Sequence, residues 1–502
     1  MKKILRIAAL LLALTLVLAA CSSPSPSSGG GGTVTPGGGG GSENPPDDSA
    51  FKAVTLKMYT VGDAQPAIDR INKAASDYLH SIGKPYSIEM NMEGWPSGYS
   101  DVVNLMLGTG EKFDLCFTAN WAASFYENAP KGYFTNLTPY LAKYPDIEKT
   151  LSADFMNATL IDGKNFALPC NKEKARQLGW VLRKDIVDAM GMDISKIKSL
   201  ADLEPWFEKA YTDHGLWIWP NFVPADYMFD RIEEPIIGTR SESNATEIIA
   251  PDLQPEFIGA IKKYNEWYKK GWINPDLTSE SSGDSEFKTG KYFGITYQLK
   301  PGKADELVGT IGYDLVQVEM NTPEIANSET SGAMVAIPAA SDNKDEAMDF
   351  LNLLYTDKNL INILVWGEEG VDWNFTDQGK GIIEKVADSG YAWSQGWTMG
   401  NQFNNYLLSN EDPDKWQKFL DFNAAGHPLP ALGFVPDTSD MDMQTAIAGM
   451  RAARENFADL FRGYVDDVDG EFAKLQEQYK AAGMDDLIAK YQTQFDAWRA
   501  SK

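Results

Sequence analysis

Val102–Trp121 reads VVNLMLGTGEKFDLCFTANW, and the fold class of the whole chain turns on how it is read. Val102, Val103, Leu105 and Met106 place apolar groups along one helical face, and Gly108 and Gly110 supply the backbone freedom that ends the helix. Phe113, Leu115, Cys116 and Phe117 form a short apolar run of the kind buried in a sheet covered on both faces. Asn120 and Trp121 then put an amide beside a large aromatic just past the strand's carboxyl end, where open α/β sheets hold ligands. The same pattern also fits a Trp that only plugs the next helix into the core.

Upstream, Val54–Tyr59 alternates as a first strand, and Asp63 and Pro66 suit the start of a helix. Ile68, Ile71, Ala75, Tyr78 and Leu79 give that helix one apolar face, and Ile88, Met90 and Met92 alternate as a second strand. This βαβαβ order predicts a mostly parallel sheet flanked by helices. Downstream, strands are expected around Ala167–Pro169, Gly179–Leu182 and Phe293–Thr296, with Tyr297 just past the last of them. Helices are expected around Leu203–Tyr211, Phe257–Lys270, Lys344–Tyr355, Glu471–Tyr479 and Met484–Trp498.

Lys2, Lys3 and Arg6 precede an apolar stretch of 14 residues, Ile7–Ala20, short for a bilayer span but suited to a signal-peptide core. It closes on Leu18-Ala19-Ala20-Cys21, which resembles a bacterial lipobox and implies diacylglycerol on Cys21 after cleavage. Residues 21–50 are mostly Gly, Ser, Pro and Thr with two poly-Gly runs, a flexible tether with an r.m.s. span of about 30 Å.

The 71 Asp and Glu outnumber the 45 Lys and Arg, and the resulting charge of −26 argues against nucleic acid and polyanionic ligands. Cys116 and Cys170 each lie in an apolar context that suits a buried free thiol. No CxxC, zinc-spaced His/Cys set, GxSxG elbow, HExxH helix or Walker loop is present. Asp372–Asp377 begins like a calcium loop but lacks Gly at its sixth place and Glu at its twelfth, so no metal or cofactor is expected. Several Trp residues (Trp95, Trp121, Trp219, Trp373 and Trp397) sit beside Gly, Pro or Asn rather than in periodic runs. Loop-borne rings suit flat ligands with an apolar face, such as sugars. A secreted glycosidase is the rival reading. It would need two carboxylates ~5–10 Å apart across a cleft, and no recognisable catalytic segment surrounds any acidic residue.

The Cys21 lipobox, Leu107–Tyr126, Asp162–Glu173 (DGKNFALPCNKE), Ser331–Asp357, Met399–Leu407 (MGNQFNNYL) and Gly433–Asp437 (GFVPD) together resemble one family. These are the extracellular solute-binding lipoproteins of bacterial ABC importers, in the carbohydrate-associated class with an extra C-terminal region. The resemblance implies a two-lobed α/β, periplasmic-binding-protein-like fold of type II and a non-enzymatic monomer on the outer face of the cell membrane. It implies capture of an oligosaccharide in the interlobe cleft and delivery to permease subunits, with surface sensing as an alternative. The implied layout is a signal peptide over 1–20, the tether over 21–50, a first lobe over 51–166 and 329–372, and a second lobe over 167–328. A helix-rich region over 373–502 would pack on the second lobe and the hinge. The implied ligand contacts are Tyr59, Asn120, Trp121, Glu173, Trp219, Tyr297, Trp373, Trp397 and Gln402. Cys21→Ala is expected to release the protein from the membrane fraction and abolish labelling by fatty acid, read by fractionation and fluorography.

Overall fold

Strand Thr55–Thr60 buries Leu56, Met58 and Thr60 and turns Thr55 and Lys57 outward, the alternation its sequence dictates. It belongs to a computed structural model that describes residues 51–95, 97–220, 228–277 and 283–502. The signal-peptide and tether readings, with Cys21, fall outside the described residues, as does Asn221. Among the described residues no helix is long and apolar enough to cross a membrane.

Thr55–Thr60 pairs in parallel with Ser87–Met92 and Leu115–Thr118. Met334–Ala336 and Ala167–Pro169 complete a five-stranded sheet in which Met334–Ala336 runs antiparallel to both neighbours. Helices Ile68–Ser81, Lys344–Thr356 and Lys358–Trp366 cover one face and Ser97–Thr109 the other. A second, four-stranded sheet runs Leu315–Glu319, Gln177–Arg183, Tyr292–Leu299, Trp217–Trp219, with Gln177–Arg183 antiparallel to both neighbours. Each lobe is thus a mixed α/β sheet with one reversed strand. In the second core Phe207 packs 4.8 Å from Trp180 and 5.4 Å from Trp267, ring centre to ring centre.

Two boundaries differ from the sequence reading. Ala167–Pro169 is fully buried as the edge strand of the first sheet, so the chain leaves the first lobe after Pro169 rather than at 166. Residues 373–408 pack on the first lobe and the first crossing rather than on the second lobe: Trp373, Ile383, Tyr391, Trp393 and Met399 share the first core, and Gln402 N donates to Asn171 O at 2.9 Å just past the crossing strand. Long-range polar contacts hold them there. Arg70 donates to both carboxylate oxygens of buried Asp372 at 2.7 and 2.8 Å, and the Trp393 indole donates to Val61 O at 3.0 Å. Gly62 admits that indole, since a Cβ there would lie 2.4 Å from Trp393 Nε1 and its φ of +134° disfavours a side chain.

Helices Met441–Asn456, Val468–Ala481 and Met484–Ala500 add Met450, Leu475, Tyr479, Tyr491 and Phe495 to the second lobe's core. Asp252, fully buried, ties them in by accepting from Arg454 Nε at 2.8 Å and the Tyr479 hydroxyl at 3.0 Å. A second buried carboxylate, Asp230, accepts from Ala431 N at 2.6 Å.

Burial pushes the Asp230 pKa up to about 7; the Ala431 N–H and Arg176 oppose the rise, while Glu324 and Glu234 add to it. A carboxyl raised on folding binds more protons in the native state, so its contribution is full at pH below ~4 and lost as pH rises toward about 7. Asp230→Asn keeps an acceptor for Ala431 and cannot ionise. It is expected to be more stable than the parent by about 2–4 kcal/mol above neutrality and equal to it near pH 4, read by thermal melts across pH.

Candidate ligand-binding site

Phe117 ends the apolar strand, and three tryptophans gather over it. Its ring centre lies 5.5 Å from that of Trp121 and 6.0 Å from that of Trp397. Trp121 and Trp397 are 6.1 Å apart, and Trp95 stacks on Trp397 at 6.4 Å with an interplanar angle of 23°. Trp121 is 40% exposed and Trp95 38%, so the cluster is a platform with open ring area. Protein acceptors take two of the indole N–H groups: Gly332 O meets Trp121 Nε1 at 2.8 Å, and Gln395 Oε1 meets Trp397 Nε1 at 2.6 Å. The rings are therefore oriented by polar contacts at their edges.

Underneath, the buried Tyr99 hydroxyl donates to Phe117 O at 2.7 Å. Desolvation holds its pKa well above the phenol range, so it stays a donor. Beside Trp121, Asn120 N donates to Ser331 O at 3.1 Å, while the buried Asn120 Oδ1 accepts no protein hydrogen bond. Stacking faces next to an unpaired amide oxygen can recognise a ring that carries hydroxyls.

The sequence-predicted residues divide into those on the platform and those elsewhere. Asn120, Trp121 and Trp397 come together. Tyr59 stacks edge-on to Phe113 at 5.3 Å, at the opposite end of strand Leu115–Thr118 from Trp121. Gln402 is buried, with its backbone N–H on Asn171 O at 2.9 Å and an unpartnered Oε1. Trp373 is a core residue, 5% exposed, with its indole on Gly367 O at 3.1 Å and its ring on Phe375 and Tyr406. Strand alternation turns it inward. Trp219 is 9% exposed and packs 6.1 Å from Tyr292 in the second core. Trp95 is the platform member missing from the sequence-derived set. Its signal resembles the one that marked Trp121: a Trp just past the carboxyl end of a strand, here beside Gly94 where Trp121 stands beside Asn120.

Glu173 and Tyr297 share a different neighbourhood. Lys300 Nζ lies 3.3 Å from both Glu173 Oε1 and Glu306 Oε1, Lys172 Nζ 3.5 Å from Glu173 Oε1, and Lys415 Nζ 2.9 Å from Glu306 Oε1. Burial acts to raise the Glu173 carboxyl, but Lys172 and Lys300 outweigh it and hold the group below its ordinary range. Glu306 is pulled down to about 2, burial being offset by Lys300 and Lys415. Tyr297 lies within its strand, not past it, with Lys303 5.6 Å over its ring and its hydroxyl on Asp284. This is a buried ion network joining the first crossing, the second lobe and helix Lys415–Ala425.

Among the described residues no group of three His, Cys, Asp or Glu could hold a metal ion. Cys116 and Cys170 are unpaired and buried, and burial raises both thiols.

Residues 87–361, more than half of the chain, match the family described as bacterial extracellular solute-binding protein, and residues 430–500 match a domain of unknown function, DUF3502. A carbohydrate ABC transporter substrate-binding protein of Streptococcus pneumoniae is 26% identical over 91% of this chain and 93% of its own. The crystal structure of the N-glycan transport solute-binding protein NgtS from S. pneumoniae superposes with a TM-score of 0.80, at 23% identity, over 88% of this chain and 98% of that one. The same protein with Man5GlcNAc bound gives 0.73, at 24% identity, over 89% and 99%. These likenesses establish the fold.

Glu173→Gln removes one counter-charge from buried Lys172 and Lys300. It is expected to cost about 2–4 kcal/mol of stability at neutral pH. Because a depressed carboxyl contributes above its unfolded pKa, the difference should shrink as pH falls below ~4, which thermal melts at two pH values would show.

Proposed function

The chain belongs to the bacterial extracellular solute-binding protein family, and on that premise we propose that it captures an oligosaccharide between its lobes and delivers it to an ABC importer. The family comprises binding proteins rather than enzymes. The observation that carries the carbohydrate reading is the Trp95–Trp397–Trp121 platform, with edges hydrogen-bonded to protein and ring area open. A pyranose offers an apolar face to such rings. The −26 charge disfavours a polyanionic glycan. The pneumococcal relative's carbohydrate-transport name and the Man5GlcNAc bound by NgtS support the same class of ligand. Diacylglycerol on Cys21 would hold the protein at the membrane surface, with the Gly-rich tether leaving the lobes free to close. A ligand touching both lobes favours the closed arrangement by its differential affinity for it.

Calorimetry with a panel of neutral oligosaccharides that includes Man5GlcNAc, run beside an assay for new reducing ends, tests this reading. Binding without turnover is the expected result, and turnover would replace it with a hydrolase. Trp121→Ala should weaken binding by about 1–3 kcal/mol and leave the melting temperature nearly unchanged, because the ring is only partly buried. A large melting drop with intact affinity would remove Trp121 from the site.

A further inference from the structure

Residues 430–500, the domain of unknown function, are joined to the aromatic platform through one side chain. Asn327, in the segment returning from the second lobe to the first, meets three backbone groups of the turn that opens this region. Its Nδ2 donates to Ala431 O at 3.1 Å and Phe434 O at 2.8 Å, and its Oδ1 accepts from Gly433 N at 2.8 Å. Phe434 in turn packs on Phe495 and Trp498 of the last helix, at 5.2 and 5.4 Å between ring centres. The turn belongs to the second lobe's core, which holds Ala431 and Phe434.

The backbone of Asn327 faces the other way. Its carbonyl accepts from Ser331 N at 2.9 Å and Ser331 Oγ at 2.6 Å, and Ser331 is fully buried. The next two carbonyls belong to the platform: Ser331 O accepts from Asn120 N at 3.1 Å, and Gly332 O from the Trp121 indole at 2.8 Å. Gly332 is wedged in place, since a Cβ there would lie 2.7 Å from Ser328 O. A run of hydrogen bonds along the backbone of residues 327–332 therefore links the C-terminal turn, which packs in the second lobe's core, to the indole that packs on Phe117 of the first.

We propose that Asn327 is a positioning residue for the ligand platform, and that the C-terminal region sets the orientation of Trp121 through it. The inference rests on Trp121 being a ligand contact. If the turn served only to cover the second core, Asn327 would act on stability alone. Contiguity makes the coupling testable, and a double-mutant cycle measures it.

The test uses the whole protein with Asn327→Ala and Asn327→Asp, the latter keeping an acceptor for Gly433 N, each in the parent and in Trp121→Ala. Without ligand, Asn327→Ala is expected to speed hydrogen exchange at the Asn120 amide by about tenfold or more, read by mass spectrometry. With Man5GlcNAc as probe, it should raise Kd by roughly five- to tenfold in the parent but less than about twofold in the Trp121→Ala background. Asn327→Asp should give the same pattern at smaller amplitude. Equal affinity losses in both backgrounds, or a lower melting temperature with unchanged exchange at Asn120, would overturn the proposal. If the glycan does not bind, or Trp121→Ala alone leaves its affinity intact, the platform reading falls instead. Exchange at Asn120 still decides whether Asn327 positions that loop.

Discussion

Met334–Ala336 is hydrogen-bonded between Leu115–Thr118 and Ala167–Pro169, antiparallel to both, and the rest of the molecule is arranged around that insertion. Its register sets Met334 opposite Thr118 on one side and Pro169 on the other. The chain therefore reaches the platform, leaves the first lobe and returns to it at one level of one sheet. Backbone hydrogen bonds continue the alignment past the strand ends, from Cys170 N to Ala333 O at 2.9 Å and from Asn120 N to Ser331 O at 3.1 Å. A ligand resting on Trp121 would thus lie beside both crossings.

Electrostatics act on the same region in two opposite ways. The Lys172–Glu173–Lys300–Glu306–Lys415 run pairs nearly every charge it buries, so desolvation is offset and the carboxylates stay ionised. Asp230 accepts a hydrogen bond from the Ala431 N–H, with Glu324 and Glu234 adding repulsion, and burial dominates. The first arrangement stiffens the junction at neutral pH. The second costs folding stability as pH rises, because an ionised Asp230 is held where water cannot reach it, even though the charge strengthens its hydrogen bond from Ala431 N.

The opening stretch shows how far local pattern reaches. The apolar run of Leu115–Phe117 and the Gly-terminated helix before it are strand and helix because a short unbroken apolar run and a 3.6-residue period are properties of neighbouring residues. The same holds for Phe472, Leu475, Tyr479, Leu487, Tyr491 and Phe495, spaced for packing and buried. Strand direction is less local. The expectation of mostly parallel sheets missed that a returning strand inserts between two earlier ones, since pairing order depends on where the chain has been, not on its composition.

Trp121 and Trp373 mark the limit. Each is a tryptophan beside an asparagine near a strand end, Trp121 past one strand and Trp373 opening another, yet one is 40% exposed and the other 5%. Trp373 is covered by Tyr406, and Trp121 is flanked by Trp397, which itself stacks on Trp95, all brought from distant parts of the chain. The sequence by itself determined the order of elements, their apolar faces and the family, because these follow from short-range periodicity and motif. Only the tertiary structure decided which rings keep an open face, because that depends on what long-range packing places over each of them.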